Sequence, residues 1–230
     1  MRKYKHLFFD LDHTLWDFAT NEELTLSDLF VNFNLDDYFE DFNEFFKIYE
    51  PINKKLWLQY RNGEITKQFL TTQRFHHSFL VKGLDHEPTA VKFGQDFVAL
   101  SATKTALMPH AIEVLDYLKR KYSLHIITNG FIETQYVKLR ASDLEKYFDK
   151  IFISEKVGAQ KPKRAFFEYA VKSCNAKKIE SLVIGDNLEA DIIGARNFGL
   201  DQVFYNPIGI PHNEVVFKEI KSLKELIGWL

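Results

Sequence analysis

Short apolar runs that each stop at a polar residue, with amphipathic helical patterns between them, constrain this chain more than any other feature. Residues 6–10 (HLFFD) form the first run. Others follow at Leu124–Thr128, Ile151–Ser154, Leu182–Gly185 and Gln202–Tyr205. Each is apolar on both faces and too short for a helix, so each predicts a buried strand. Between them, Ile112, Leu115 and Leu118 follow Pro109. Val137, Ala141, Leu144 and Phe148 follow Gly130, and Phe166, Phe167, Ala170, Val171 and Cys174 follow Pro162. These sets have the i, i+3/i+4, i+7 spacing of one buried helical face. Pro109 and Pro162 sit where a first helical turn tolerates proline. Strand alternating with helix predicts an α/β fold with a parallel sheet and right-handed crossovers.

Residues 16–98 break that rhythm. They contain no strand pattern but three helical stripes: Leu26, Leu29, Phe30 and Phe33; Phe39, Phe42, Phe46 and Tyr49; Ala90, Phe93, Phe97 and Leu100. The stretch is too long for a crossover and predicts a helical subdomain inserted after the first strand. That leaves 1–15 and 99–230 as the core. The chain's 22 phenylalanines are concentrated here, 12 of them in the insertion, which a small helical subdomain needs to build its own core. The insertion is also acidic, with ten acids against one lysine between Asp17 and Glu50, which reads as a solvated face.

Charge and cysteine usage exclude several classes. The net charge of −2 argues against a phosphate-backbone binder, so no nucleic-acid partner is expected. One cysteine, Cys174, excludes a disulfide framework and a thiolate zinc site, and its place on an apolar stripe predicts an inert thiol. Asp10 and Asp12 interrupt the apolar N-terminal run, so it does not read as a signal peptide, and no segment has the apolar length of a membrane span. The expected location is the cytoplasm.

Polar residues gather where the strands end. The first ends in Asp10-Leu11-Asp12-His13-Thr14 and the second in Thr128-Asn129-Gly130. The third is followed by Gly158-Ala159-Gln160-Lys161-Pro162, and the fourth ends in Gly185-Asp186-Asn187, with Asp191 beyond. Ligands of an open parallel sheet bind beyond the carboxyl ends of its strands, so four strand ends offer side chains to one place. Close carboxylates repel unless a cation or proton intervenes. Several carboxylates with hard oxygen donors suit Mg²⁺, and together with a lysine, a hydroxyl and backbone N–H groups they suit a phosphoryl group. One carboxylate can attack phosphorus while another handles the leaving group's proton.

With FFDLDHTLW, IITNG, GAQKPKRAFF and GDNLEADIIGA in that order, the sequence resembles the haloacid dehalogenase-like phosphatase superfamily across residues 8–195. The resemblance implies a Rossmann-like core with an all-helical cap inserted after the first strand, a Mg²⁺ cofactor and a phosphoaspartyl intermediate. It implies Asp10 as nucleophile and Asp12 as general acid/base, with Asp10, the Asp12 backbone carbonyl and Asp186 on the metal. Thr128 and the Asn129 backbone would hold phosphoryl oxygens, Lys161 would neutralise the phosphate and the nucleophile, and Asp191 would orient Lys161 or a metal-bound water. The cap segment IYEPINKKLWLQYRNGEIT and the core segments IITNGF and ISEKVGAQKP resemble bacterial house-cleaning pyrimidine 5′-nucleotidases. That implies a small phosphate monoester substrate, a pyrimidine nucleoside monophosphate, and a monomer or weak homodimer.

Four other readings compete. A 2-haloacid dehalogenase lacks the second aspartate, so Asp12 and Asp186 count against it. A phosphosugar mutase and a glycolate or sugar phosphatase share the core residues and differ in the cap. An inert binding module would have lost one of Asp10, Asp12, Lys161 or Asp186. In the insertion, Trp16, Asn53, Trp57, Tyr60 and Arg61 are candidates for substrate choice, although aromatic residues there commonly pack the subdomain's own core. The adjacent His76 and His77 face different sides of a helix and do not make a metal site.

Overall fold

The computed structural model describes residues 4–230. The chain divides into two compact units, Met1–Ala19 with Thr105–Leu230, and Thr20–Lys104. The expected bounds of the helical insertion were 16 and 98, so the helical unit begins and ends slightly later than its composition suggested.

The first unit is built on a sheet of six strands, β1 (His6–Phe9), β2 (Ser123–Thr128), β3 (Lys150–Ile153), β4 (Ser181–Gly185), β5 (Asp201–Tyr205) and β6 (Lys218–Ile220). Their order is β3-β2-β1-β4-β5-β6 and all neighbours are parallel. Successive side chains of β1 serve opposite faces, as strand geometry requires. Leu7 and Phe9 pack with Leu115, Leu118, Ile184 and Val203, while Phe8 packs with Ile127, Phe166, Phe167 and Val183. Apolar residues therefore run unbroken along the strand because both faces are covered.

Four helices, α1 (Phe18–Asn32), α2 (Phe42–Asn62), α3 (Lys67–Leu80) and α4 (Glu87–Ser101), account for most of the second unit. Their buried seam joins Leu26, Leu29 and Phe30 to Phe45 and Tyr49, Phe75 and Phe79, and Ala90, Phe93 and Phe97. Phe39 was expected on the second stripe but precedes α2, and the fully buried members of that helix are Phe45 and Tyr49. Asp41 caps α2 by accepting from the Glu44 N–H, and Gly63 ends it at a φ of 77°, a left-handed turn that favours glycine.

In the first unit the connecting helices are α5 (Ala111–Lys119), α6 (Ile132–Ala141), α7 (Ser154–Val157), α8 (Arg164–Ser173), α9 (Gly194–Phe198) and α10 (Glu225–Trp229). The α8 stripe is as its spacing predicts: Phe166, Phe167, Ala170 and Val171 are buried, and the half-buried Cys174 packs against them. Burial raises the Cys174 thiol to about 11, which suits an inert group. The other two stripes need correction. Ile112 lies exposed while Ala111 and Val114 are buried. On α6, Val137 and Ala141 face solvent and the inward side is Thr134, Gln135, Lys138 and Leu139. Pro109 and Pro162 lie two residues ahead of α5 and α8 rather than within their first turns. Strand β6 and helix α10 had no signature in the sequence, since each is too short to show a period. Among the described residues, no helix is long and apolar enough to cross a membrane.

Candidate active site

Strand order reverses direction at β1. From β1 the chain builds outward through β2 and β3, then returns to place β4 on the opposite side. The crevice beyond the carboxyl ends of the two strands flanking such a reversal is where open α/β sheets bind ligands. Asp10 is the first residue after β1 and Asp186 the first after β4. The Thr14 hydroxyl joins them: it lies 3.3 Å from Asp10 Oδ2 and 3.1 Å from Asp186 Oδ1, and accepts from the Asp186 N–H at 3.1 Å. Fully buried Thr14 thus shapes the site, a role the sequence reading did not assign to it.

Lys161 enters from the loop before α8. Its ammonium donates to Asp10 Oδ1 and Asp191 Oδ1, both at 2.6 Å, and to the Ile127 carbonyl at 2.9 Å. Three donors meet three acceptors, which is how a lysine that is 2% exposed avoids an unsatisfied charge. The Asn129 side chain pins the Lys161 backbone at both ends, donating to its carbonyl at 2.8 Å and accepting from its N–H at 2.9 Å. Asp191 lies on a wide turn after β4, where the Ile192 N–H reaches back five residues to the Asn187 carbonyl. Such wide turns are frequent at functional sites. The second oxygen of Asp191 accepts from the Asn187 N–H at 3.1 Å.

Asp12 points elsewhere. Its Oδ1 accepts from Lys138 at 2.6 Å and its Oδ2 from Gln135 at 3.1 Å. Thr128 joins this second group, since its hydroxyl lies 3.4 Å from Gln135 Oε1 and accepts from the Gly130 N–H at 3.0 Å. Gln135 passes so close to Gly130 that a Cβ there would lie 1.9 Å from its Nε2, so any larger residue would push the Gln135 side chain out of its place. Gln135 and Lys138 are the residues that sequence reasoning missed. The available signal was Thr134, Gln135 and Lys138 at i, i+1 and i+4, a polar face on a helix whose apolar stripe was weak.

The expected site residues therefore fall into two groups: Asp10, Lys161, Asp186, Asp191 and Asn129 in one, Asp12 and Thr128 in the other. Of the candidates for substrate choice, Trp16 belongs to the first unit. It is wholly buried and bridges Asp12 and Leu107 at the sheet's end. Within the helical unit, Asn53 is buried and accepts from Arg74 at 3.3 Å, while Trp57 and Tyr60 meet edge to face at 5.7 Å. His76 lies 3.2 Å from Asp85.

The electrostatics of the first group suit a cation. Asp10, Asp186 and Asp191 each offer an oxygen within 4.8 Å of the others. Three ionised carboxylates against one ammonium leave two negative charges. Burial raises the Asp10 pKa, with Lys161 opposing and Asp191 adding to the rise. Burial likewise raises Asp186, reinforced by the charges of Asp10 and Asp191. For Lys161, burial works downward, but the charges of Asp10 and Asp191 outweigh it and the pKa rises. A hard divalent ion fits this surplus of buried oxygen ligands. The oxygens of Asp10 and Asp191 each meet one donor, and the lone pairs that remain on them and on Asp186 are the capacity left for a cation.

A parallel-sheet crevice with an aspartate at each of two adjacent strand ends and a buried lysine between carboxylates defines a hydrolase core of a known kind. The model of the haloacid dehalogenase-like hydrolase family matches residues 4–199, and the chain belongs to that family. Pyrimidine 5′-nucleotidase PynA of Streptococcus pneumoniae is 35% identical over 89% of this chain and 84% of its own. Pyrimidine 5′-nucleotidase YjjG of Escherichia coli is 34% identical over 89% of this chain and 87% of its own. The magnesium-bound crystal structure of the HAD-hydrolase YfnB from Bacillus subtilis superposes with a TM-score of 0.90 at 31% identity, covering 99% of both chains.

Proposed function

We propose that this chain is a Mg²⁺-dependent phosphomonoesterase that hydrolyses pyrimidine nucleoside 5′-monophosphates through a phosphoaspartate on Asp10. The observation that carries the reading is the buried Asp10–Lys161–Asp191 line beside Asp186, a nucleophile held against one cation with acceptor capacity left for another. The similarity to PynA and YjjG, which extends through most of the chain, supports the pyrimidine nucleotide as substrate.

Asp10, Asp186 and the Asp12 backbone carbonyl would hold the Mg²⁺. The ion would neutralise phosphoryl oxygens and screen the approach of an anionic nucleophile to an anionic ester. An Asp10 oxygen attacks phosphorus, and the bond from phosphorus to the ribose 5′-oxygen breaks. Asp12 gives its proton to that departing oxygen. Lys161 offsets negative charge on the transferring group and on Asp10, and Asp191 keeps Lys161 in line. Thr128 and the Asn129 N–H donate to phosphoryl oxygens. Water then attacks the phosphoaspartate, Asp12 takes its proton, and the Asp10–phosphorus bond breaks to release phosphate. The helical unit Thr20–Lys104 would carry the substrate choice, because the core residues are shared by phosphatases of different specificity.

A phosphate-release panel with Mg²⁺ tests both levels of this reading. Uridine, deoxyuridine and thymidine monophosphates are expected to exceed glycolate and hexose phosphates in kcat/KM. A sugar phosphate at the top overturns the nucleotidase assignment alone. No release from any monoester overturns the phosphatase assignment.

A further inference from the structure

The proposed chemistry leaves the buried cation Lys138 without a task. Lys138 lies on the inward face of α6 with its side chain 5% exposed. Its ammonium sits 2.6 Å from Asp12 Oδ1, 4.0 Å from the centre of the Trp16 ring and 5.2 Å from that of Phe18. Burying a lysine is costly, and a buried ion pair seldom stabilises a fold more than apolar residues of the same volume would. Stability alone therefore gives no reason for a lysine here. Its neighbour Gln135 donates to the other Asp12 oxygen at 3.1 Å and is itself steered by Thr128 and by the missing side chain of Gly130. Both Asp12 oxygens are thus fixed by donors from one helix.

We propose that Lys138, assisted by Gln135, is the positioning residue for Asp12, setting where that carboxylate meets the proton of the attacking water. The inference rests on the phosphatase reading above, because Asp12 has a proton to move only in that reaction. Asp12 follows a short strand and precedes His13, whose φ of 65° turns the chain sharply. Its side chain remains 21% exposed, so without donors it would sample several rotamers. The Trp16 and Phe18 rings hold the ammonium by cation–π attraction and fix the donor in turn. Loss of a hydrogen-bonding partner that orients a functional group commonly costs about 10–100-fold in activity.

Lys138→Met keeps the length and bulk of the side chain and removes the charge. The test is pre-steady-state release of p-nitrophenolate from p-nitrophenyl phosphate with Mg²⁺. This leaving group departs without a proton, so the first transfer to Asp10 needs no help from Asp12, whereas hydrolysis of the phosphoaspartate does. The variant is expected to release about one equivalent per enzyme as fast as the wild type's first turnover, then to run about 10–100-fold slower, with KM falling alongside kcat so that kcat/KM is nearly unchanged. The size of the burst counts folded, competent sites and so removes misfolding as an explanation. In an Asp12→Asn background the same substitution is expected to slow turnover no further. A burst and a steady rate that fall together, an unchanged steady rate, or a further loss in the Asp12→Asn background each overturn the inference while leaving the phosphatase reading in place. A wild-type enzyme that releases no p-nitrophenolate overturns both.

Discussion

Adding one methyl group at Gly185 is expected to disable the site from behind. Gly185 ends β4, and a Cβ built on it lies 2.4 Å from Asp191 Oδ2, 2.5 Å from Cγ and 2.6 Å from Cβ. Because Asp191 Cβ is itself too close, no side-chain rotation clears the overlap, and the turn carrying Asp191 must retreat by roughly 1 Å to reach ordinary packing distance. Asp191 Oδ1 then leaves its 2.6 Å contact with Lys161, and Lys161 loses one of its three acceptors while still bonded to Asp10. Overpacking of this kind costs about 1–3 kcal/mol of stability. A change of that size lowers the melting temperature of a chain this long by about 2–12 °C. A 1 Å displacement near the chemistry can cost about 100-fold in rate. The assay is phosphate release with Mg²⁺ from a monoester that the wild type accepts, with a thermal melt of the same preparation. Gly228→Ala is the control, since a Cβ there meets nothing within 4 Å, and it is expected to leave both readings unchanged. A Gly185→Ala enzyme with wild-type turnover and a melt within a degree would refute the assignment of Asp191 as the support of Lys161.

Asp10→Asn is expected to abolish phosphate release, because an amide does not attack phosphorus, while the melting temperature stays within a few degrees; retained turnover would sink the mechanism. Mg²⁺ at about 100 times its Kd should stabilise the wild type by about 2.7 kcal/mol, a rise of roughly 5–10 °C in the melt, and Asp186→Asn should lose most of that rise. In the helical unit, Phe75 is fully buried against the rings of Tyr49, Phe93 and Phe97, so Phe75→Ala should cost about 3–5 kcal/mol, measured as a lower first melting transition. His125 is buried beside Phe8 and His6, and burial lowers its pKa to about 4, with the His6 charge adding to the fall. The folded pKa lies below the unfolded one, so its stability contribution is fully present above about pH 6.5 and is lost as pH falls toward 4. Between pH 7 and pH 5 that amounts to about 2 kcal/mol, read as a shift in denaturant midpoint that His125→Leu should remove.

What was legible in the sequence follows from how each segment is buried. Strands β1, β2 and β4 are covered on both faces, so their apolar runs are continuous and their ends are marked by the polar residues that follow. Helix α8 lies on the sheet with a fully apolar face and keeps its period. Helix α6 does not, because its inward face supplies Gln135 and Lys138 to Asp12, and an apolar-periodicity reading therefore selected its solvent side. Thr14 and Asn129 were visible as motif members, but their hydrogen bonds depend on contacts across 172 and 32 residues of sequence, which no local pattern encodes.

The two aspartates of the Asp10-Leu11-Asp12 segment show how a site can hold so much negative charge. Two carboxylates two residues apart on a regular strand would share a face and compete for the same cation. Here β1 ends at Phe9, and the chain turns through His13, whose N–H closes onto the Trp16 carbonyl at 2.9 Å. That turn gives each carboxylate its own lysine: Lys161 from the loop ahead of α8 for Asp10, and Lys138 from α6 for Asp12. The lysines are not interchangeable. Lys161 is shared with Asp191 and sits 2% exposed, whereas Lys138 is shared with aromatic rings and reaches an aspartate that is 21% exposed. A nucleophile benefits from the first setting, which excludes water. A group that must exchange protons with a leaving oxygen and then with water benefits from the second, which leaves it partly open. The separation of the two aspartates is thus already built into the backbone turn and the two lysines, and it supports the proposed division of labour, with the buried carboxylate attacking and the accessible one transferring the proton.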